Sequence, residues 1–362
     1  MRLKKFVSLM KAKGFDGALI SPGSNLYYLT GLKIHEAGER LTLLVVNPEG
    51  DFQILAPSLY ENVIQDAPVT FWRDGENPYA RLAEILKELD LLSGRILVEN
   101  TMRADWLIGV LKLGSFEFHP LSILMRELRM RKDTKEIRLM EKAARVADNV
   151  FEEILSWDLT GMKERELALR IEIEIRERSD GISFEPIVAS GENGANPHHE
   201  PGERKLRKGD MVILDYGAKW RGYCSDITRT IALGKPDERL IKVYEVVKEA
   251  QERAFQAVKE GIRAGDIDAM ARKTIEEAGY GKYFTHRTGH GLGLDVHEEP
   301  YIGPGEGTVL ENGMTFTIEP GIYLPCLGGV RIEDDVTVIG GRGKRLTRAE
   351  RELVVLYTFQ KS

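Results

Sequence analysis

Two aspartates stand where a strand would bury them. Residues 211–214 form an apolar run suited to a strand covered on both faces, and Asp215 closes it. Asp226 then precedes Ile227, Thr228, Thr230 and Ile231, β-branched residues that favour strands. A turn at 219–222 would join the two strands into a hairpin. A buried carboxylate without a partner is strongly disfavoured, so each acid needs a metal, a cation or several donors. The pattern then recurs. Residues 314–318 run into Glu319, and the strand-like stretch 329–336 carries Glu333 inside it. Eleven residues separate the first pair and fourteen the second, enough for two adjacent strands and a connection. Between the pairs lies Thr288-Gly-His290-Gly-Leu-Gly293, whose glycines allow close backbone approach around His290.

Four carboxylates and one imidazole make an oxygen-rich donor set. It suits divalent Mn, Co, Zn or Fe rather than Cu(I) or an iron–sulfur cluster. Four negative charges are too many for one ion in a small site and right for two, with some carboxylates bridging. Ions roughly 3.5–4 Å apart form the usual clamp that generates hydroxide and polarises a carbonyl or phosphoryl group. A single strand acid would more simply be an ion pair or a helix cap. Two paired acids on each of two hairpins, with a glycine-flanked histidine between them, point to metal.

Rival chemistries fail on spacing. The chain has no His-Glu-x-x-His and no Gly-x-Ser-x-Gly. Gly289, Gly291 and Gly293, like Gly303, Gly305 and Gly307, lack dinucleotide-binding spacing and a preceding βαβ context, so they read as loop glycines. Cys224 reads as a buried strand thiol.

The elements that must position these residues follow an α+β plan. The first 120 or so residues alternate strands and helices: a helix over 3–13, strands near 17–21, 41–46, 52–55 and 95–98, and helices near 79–89 and 104–113. His35 and His119 fall there without ligand company and read as ordinary surface or core histidines. Pro120 opens a connection, and the domain boundary is placed at 125, giving domains 1–125 and 126–362. Asp133 and Glu136 have capping-box spacing ahead of a long helix, and a second helix spans about 163–177. A strand over 183–188 and a Gly/Asn/Pro loop over 189–200 follow. Two further helices precede the second pair of acids. Helices then strands, twice over, is a coarse duplication of the kind a pseudo-symmetric domain shows.

The bulk numbers exclude several partners. The 362 residues are 42% hydrophobic and 30% charged with a net charge of −6, so no global field favours nucleic acid or acidic lipid. No apolar run is long enough for a bilayer, so no membrane is expected. Two cysteines and an amino-terminal stretch without a signal-like apolar core suggest a cytoplasmic setting.

The motifs Leu214-Asp-Tyr-Gly217, Ser225-Asp-Ile-Thr-Arg-Thr230, Gly289-His-Gly-Leu-Gly293, Thr317-Ile-Glu-Pro-Gly321 and Val330-Arg-Ile-Glu-Asp334 resemble those of metal-dependent Xaa-Pro peptidases with the pita-bread fold. That family includes Xaa-Pro dipeptidase (prolidase), Xaa-Pro aminopeptidase and methionine aminopeptidase. Asn25-Leu-Tyr-Tyr-Leu-Thr-Gly31 resembles the amino-terminal domain of its Xaa-Pro branch. The resemblance implies a pita-bread catalytic domain behind a smaller α/β amino-terminal domain. It implies five metal ligands, Asp215, Asp226, His290, Glu319 and Glu333, with Asp226 and Glu333 bridging two divalent ions. Asp215 then completes one ion, and His290 with Glu319 the other. His198 in Asn196-Pro-His198 and His297 in Asp295-Val-His297 match substrate-side histidines, and Arg331 matches an arginine near metals and substrate. His199 has no match and reads as a loop residue.

The implied reaction is attack of a metal-held hydroxide on the carbonyl before proline, with Glu319 as proton shuttle and His297 donating to the oxyanion. Small peptides with proline at the second position are the implied substrates, and a homodimer the implied assembly. Phe184 and Tyr323 are candidate walls for the proline ring. Arg331 or Arg287 would read a dipeptide's carboxylate. An Xaa-Pro dipeptidase is the leading expectation and an Xaa-Pro aminopeptidase the alternative. A non-catalytic pita-bread protein or a metal-free creatinase-like hydrolase usually loses several of the five ligands.

Overall fold

The computed structural model describes residues 2–34 and 38–357, so His35 lies outside the described residues. The chain divides into two compact units that meet in sequence after Arg129.

The amino-terminal unit opens with α1 (Arg2–Ala12), which buries Phe6 and Met10, and the chain then enters β1 (Gly17–Ile20), buried at every position. α2 (Ser24–Thr30) stops at Gly31, whose φ of 78° is the left-handed conformation glycine adopts without strain. Next come β2 (Leu43–Val46), β3 (Phe52–Pro57) and β4 (Val69–Trp72). α3 (Pro78–Glu88), β5 (Ser93–Val98), α4 (Ala104–Val110), β6 (Ser115–Pro120) and α5 (Ser122–Arg129) complete the unit. The six strands form one mixed sheet in the order β4-β3-β2-β1-β5-β6.

The connection expected after Pro120 is instead α5, and β6 precedes it. β6 was hidden because only Phe116 and Phe118 alternate inward, and it gains its place by pairing in parallel with β5. The boundary expected at 125 falls inside α5. His119 faces Glu117 at 2.9 Å and the Phe15 ring, and among the described residues it joins no metal-ligating cluster.

The second unit begins with α6 (Thr134–Leu155), capped reciprocally by Asp133 and Glu136, and α7 (Glu164–Arg178). Then follow β7 (Gly181–Ile182), β8 (Ile187–Ser190), β9 (Met211–Tyr216), β10 (Ala218–Trp220), β11 (Tyr223–Cys224) and β12 (Ile227–Leu233). A second pair of helices, α8 (Glu238–Ala257) and α9 (Ala264–Glu277), leads to β13 (Gly289–Gly291), β14 (Glu298–Ile302) and β15 (Thr315–Ile318). β16 (Gly321–Leu324), β17 (Gly328–Arg331), β18 (Asp334–Ile339), β19 (Arg342–Arg345) and β20 (Val355–Leu356) end the described chain.

The two halves bury separate cores. Val150, Phe151 and Ile171 of α6 and α7 pack on Val212, Leu214 and Ile231 of β9 and β12. Val243, Val247 and Ile267 of α8 and α9 pack on Phe316, Ile318 and Val336 of β15 and β18. The sheets order as β20-β12-β9-β8 and β14-β13-β15-β18-β19, with smaller sheets β11-β10-β7 and β16-β17.

Two strand expectations need correction. The strand read over 183–188 is broken at 183–186, because Pro186 has no N–H for a ladder. The hairpin turn narrows to Arg221 and Gly222, both at positive φ, the geometry of a two-residue hairpin turn.

Candidate metal centre

Both hairpins change sheet midway, and that break is where the acids sit. β9 pairs with β12, but beyond Tyr216 the chain leaves for β10, which pairs with β11 and β7. Gly217 allows the crossing: a Cβ there would lie 1.9 Å from the Ser225 carbonyl oxygen. Asp226 stands in the gap between β11 and β12, and Asp215 near the end of β9 opposite Thr228. In the second half β15 pairs with β18 and β16 with β17. Glu333 stands in the gap between β17 and β18, and Glu319 directly follows β15. His290 is the middle residue of β13, flanked by Gly289 and Gly291. A Cβ on Gly289 would lie 1.9 Å from the Thr317 oxygen, so the close approach expected of these glycines is present.

These five side chains line one cleft of about 440 Å³, within the roughly 300–1,000 Å³ of small-molecule sites. Single ligand atoms of Asp226, His290 and Glu333 all lie within 4.8 Å of one another. His290 Nε2 is 3.2 Å from Glu319 Oε1 and 3.7 Å from Asp226 Oδ2. His290 Nδ1 faces the Gly291 carbonyl at 3.1 Å, which places the proton on Nδ1 and leaves Nε2 as the ligand atom.

Neighbouring groups brace these residues. Thr228 Oγ1 donates to Glu333 Oε2 at 2.6 Å, and Thr317 Oγ1 to Glu319 Oε1 at 3.1 Å. The Asp226 amide donates to Asp335 Oδ2 at 3.0 Å. Arg331 donates through Nη2 to Asp215 and through Nη1 to the Tyr323 hydroxyl at 2.9 Å and the Pro197 carbonyl at 3.3 Å.

One oxygen each on Asp215, Asp226 and Glu333 is buried without a hydrogen-bond partner. Three open carboxylate oxygens beside the His290 imidazole are what divalent cations of the Mn, Co, Zn or Fe type need, so the donor set fits. The electrostatics agree. Burial, then the charges of Glu333 and Asp215, push the Asp226 carboxyl well above its ordinary pKa. Burial, then Glu319 and Asp215, do the same to Glu333. Burial also raises Asp215, although Arg331 pulls against it. Burial raises Glu319 too, but the hydrogen bond and charge of His290 outweigh it and hold the group at about 2.

His198, His297 and Arg331 also line the cleft, with Phe184, Ile187 and Val296 as apolar walls. His297 stacks edge-on to His290 at 4.3 Å. Partial desolvation, then the positive field of His290 and Arg287, lowers His297 to about 4, so its imidazole is neutral at neutral pH. Phe184 lies in the wall, on the irregular segment between β7 and β8. Tyr323 lies behind the cleft rather than in its wall, its hydroxyl accepting from Arg331 and meeting His286 Nε2 at 2.8 Å.

Thr228, Thr317 and Asp335 escaped the sequence reading. Each lies two residues from a candidate ligand, and strand periodicity places such neighbours on the same face. His286 carried no comparable signal, and Tyr323 stood out only as a candidate wall.

Residues 138–339 match the family described as Metallopeptidase family M24, and residues 2–131 match the Creatinase/Prolidase N-terminal domain. The chain is similar to an Xaa-Pro dipeptidase of Pyrococcus horikoshii, 36% identical over 361 residues that cover 98% of each chain. In structure it is similar to a dipeptidase from Pyrococcus horikoshii OT3, with a TM-score of 0.97 at 71% identity over 98% of this chain and 100% of that one. It is likewise similar to a prolidase from Thermococcus sibiricus, with a TM-score of 0.96 at 51% identity over 98% of each chain. The chain therefore belongs to metallopeptidase family M24, with a Creatinase/Prolidase N-terminal domain and a pita-bread catalytic domain.

Proposed function

We propose that the chain is a dinuclear-metal exopeptidase that hydrolyses Xaa-Pro dipeptides. The observation that carries this reading is the convergence of four carboxylates and His290 on one cleft, three of the carboxylates with a buried oxygen left open. Asp215, Asp226, His290, Glu319 and Glu333 would hold two ions of Mn, Co, Zn or Fe, with Asp226 and Glu333 shared. When bound, such ions supply Lewis acidity and lower the pKa of water toward about 7.

The chain's own residues do the rest. Glu319 takes the proton of the attacking water and hands it to the leaving proline nitrogen, which carries no hydrogen while the bond is intact. His297 is neutral and still carries one N–H, which donates to the developing oxyanion. His198, at the rim of the cleft, steadies the carbonyl or the leaving side. Phe184, Ile187 and Val296 offer the apolar surface that a proline ring requires. Arg331 is spent on Asp215 and Tyr323, so Arg287, which lines the cleft and lies 4.3 Å over the Tyr301 ring, is the better reader of a dipeptide's carboxylate. The same reading carries a cytoplasmic homodimer; two unbridged cysteines agree with a reducing setting. Among the described residues no helix is long and apolar enough to cross a membrane.

A second reading, a dipeptidase without a strict need for proline, is favoured by one observation. The 71%-identical neighbour is described as a dipeptidase, whereas the Xaa-Pro dipeptidase of the same species is 36% identical. Metal-loaded protein should be given an Xaa-Pro dipeptide, an Xaa-Pro-Xaa tripeptide and a dipeptide without proline. The proposal expects the first to have the highest kcat/KM. A faster tripeptide would make the protein an aminopeptidase, and an equal rate on the proline-free dipeptide would favour the second reading.

A further inference from the structure

Glu164 opens α7, is 0% exposed, and has no part in the chemistry above. A carboxylate with no access to water needs several donors, and Glu164 has them. Its Oε1 accepts from the Ser190 amide at 2.8 Å, the Ser190 hydroxyl at 2.6 Å and Asn193 Nδ2 at 3.0 Å. Its Oε2 meets His199 Nε2 at 2.8 Å, Asn193 Nδ2 at 3.1 Å and the Gly202 amide at 3.3 Å. Burial pushes this carboxyl up, but the bonds from Ser190 and His199 outweigh it and hold it below its ordinary pKa.

The donors come from both ends and the middle of segment 190–202. That segment carries Pro197 and His198 to the cleft. Arg204 locks the return of the loop, donating to the Ser190 hydroxyl at 2.7 Å and to both oxygens of Asp210 at 2.6 and 2.9 Å. Nearer the tip, the His198 amide donates to Asn196 Oδ1 at 3.1 Å, and the Pro197 carbonyl accepts from Arg331. His198 thus sits on a loop gripped at its base by one buried carboxylate and at its tip by the arginine that holds Asp215.

We propose that Glu164 is a positioning residue for the peptidase reaction: it clamps the 190–202 loop so that His198 stands at the rim of the cleft, and His199 is one jaw of that clamp. The proposal rests on the reading of His198 as a substrate-side group. It gives His199, otherwise a plain loop residue, a role distinct from that of its neighbour.

The test uses metal-loaded full-length chain and an Xaa-Pro dipeptide, with kcat and KM read separately alongside metal content and thermal midpoint. The variants are His198→Ala, Glu164→Gln, His199→Ala, His199→Gln and the Glu164→Gln/His198→Ala and His198→Ala/His199→Ala doubles. A misplacement of about 1 Å can cost roughly 100-fold in rate, so Glu164→Gln is expected to lower kcat/KM about tenfold or more with metal content unchanged. In the His198→Ala background the same change should cost nothing further, because the group it positions is gone. His199→Ala should show a smaller loss that His199→Gln, which keeps an N–H at similar reach, restores. An unaltered Glu164→Gln enzyme, or a loss that multiplies in full onto His198→Ala, would overturn the clamp. An unaltered His198→Ala enzyme would remove His198 from the reaction and the clamp with it. If Glu164→Gln does not fold, the His199 variants in the two backgrounds decide by the same criterion.

Discussion

Asp226 stands in the gap between β11 and β12, and Glu333 stands in the gap between β17 and β18. Asp215 lies near the end of β9, and Glu319 directly follows β15. Each half thus supplies one acid from the end of a strand and one from a break in the next, over a pair of helices. The surroundings differ. Glu319 is held within its own half, by Thr317 and His290, and stays at about 2. Asp215 is held by Arg331 from the opposite half, and burial still raises it. The bracing crosses elsewhere too: Thr228 of the first half holds Glu333, and Asp335 of the second receives the Asp226 amide. The duplicated strands repeat a backbone, and the bonds between them make one centre of two incomplete ones.

The largest effect should come from the acids in the strand breaks. Glu333→Gln or Asp226→Asn should lower kcat on an Xaa-Pro dipeptide at least ~1,000-fold, about 4 kcal/mol at 1.36 kcal/mol per decade. Steady-state kinetics at saturating metal checks this; a loss under tenfold would mean that these acids do not serve the reaction.

Arg331→Met probes the cross-brace. Removing one partner of a buried ion pair costs about 3–5 kcal/mol because a charge is left unpaired. Metal-free Arg331→Met should therefore unfold at clearly lower denaturant, and bound metal should recover part of the loss by neutralising Asp215. Denaturant midpoints with and without metal read both effects. A midpoint equal to the parent's would show that the arginine does not brace the halves.

The smallest effect is a pH dependence of the metal-free protein. Asp215, Asp226 and Glu333 are raised in the fold, so their contribution is present below the unfolded values of about 4 and is lost as pH rises through the folded ones. His297, lowered to about 4, acts oppositely: its contribution is present above about 6.5 and lost as pH falls toward the folded value. A partly solvated imidazole is screened, so the three buried acids should win. Thermal midpoints in chelator should decline from mildly acid to mildly alkaline pH, and metal should abolish the decline. A rise in chelator over that range would contradict the assignment.

The candidate ligands were legible because acids interrupting β-branched or apolar runs break the strand pattern, and because the interruption occurs twice. Thr228, Thr317 and Asp335 were within reach of the same pattern, two residues from an acid already singled out. Glu164 and His199 were not: 35 residues separate them, and nothing local marks a helix-opening glutamate as the anchor of a distant loop. Arg229 and Asp334, paired at 2.7 Å in the core across 105 residues, were hidden for the same reason. Local pattern also failed where tertiary pairing decides, as at β6. The break at 183–186 is foreshadowed by Pro186, whose missing N–H cannot donate to a ladder.

The shared centre is tested most directly by counting metal. Parent, Asp215→Asn and Asp226→Asn proteins should be loaded with Mn or Co, freed of excess by dialysis, and assayed for metal per chain. Two ions are expected in the parent, one in Asp215→Asn, and fewer than one in Asp226→Asn. Equal metal content in the two variants, or a single ion in the parent, would contradict a centre in which Asp226 serves both ions and Asp215 only one.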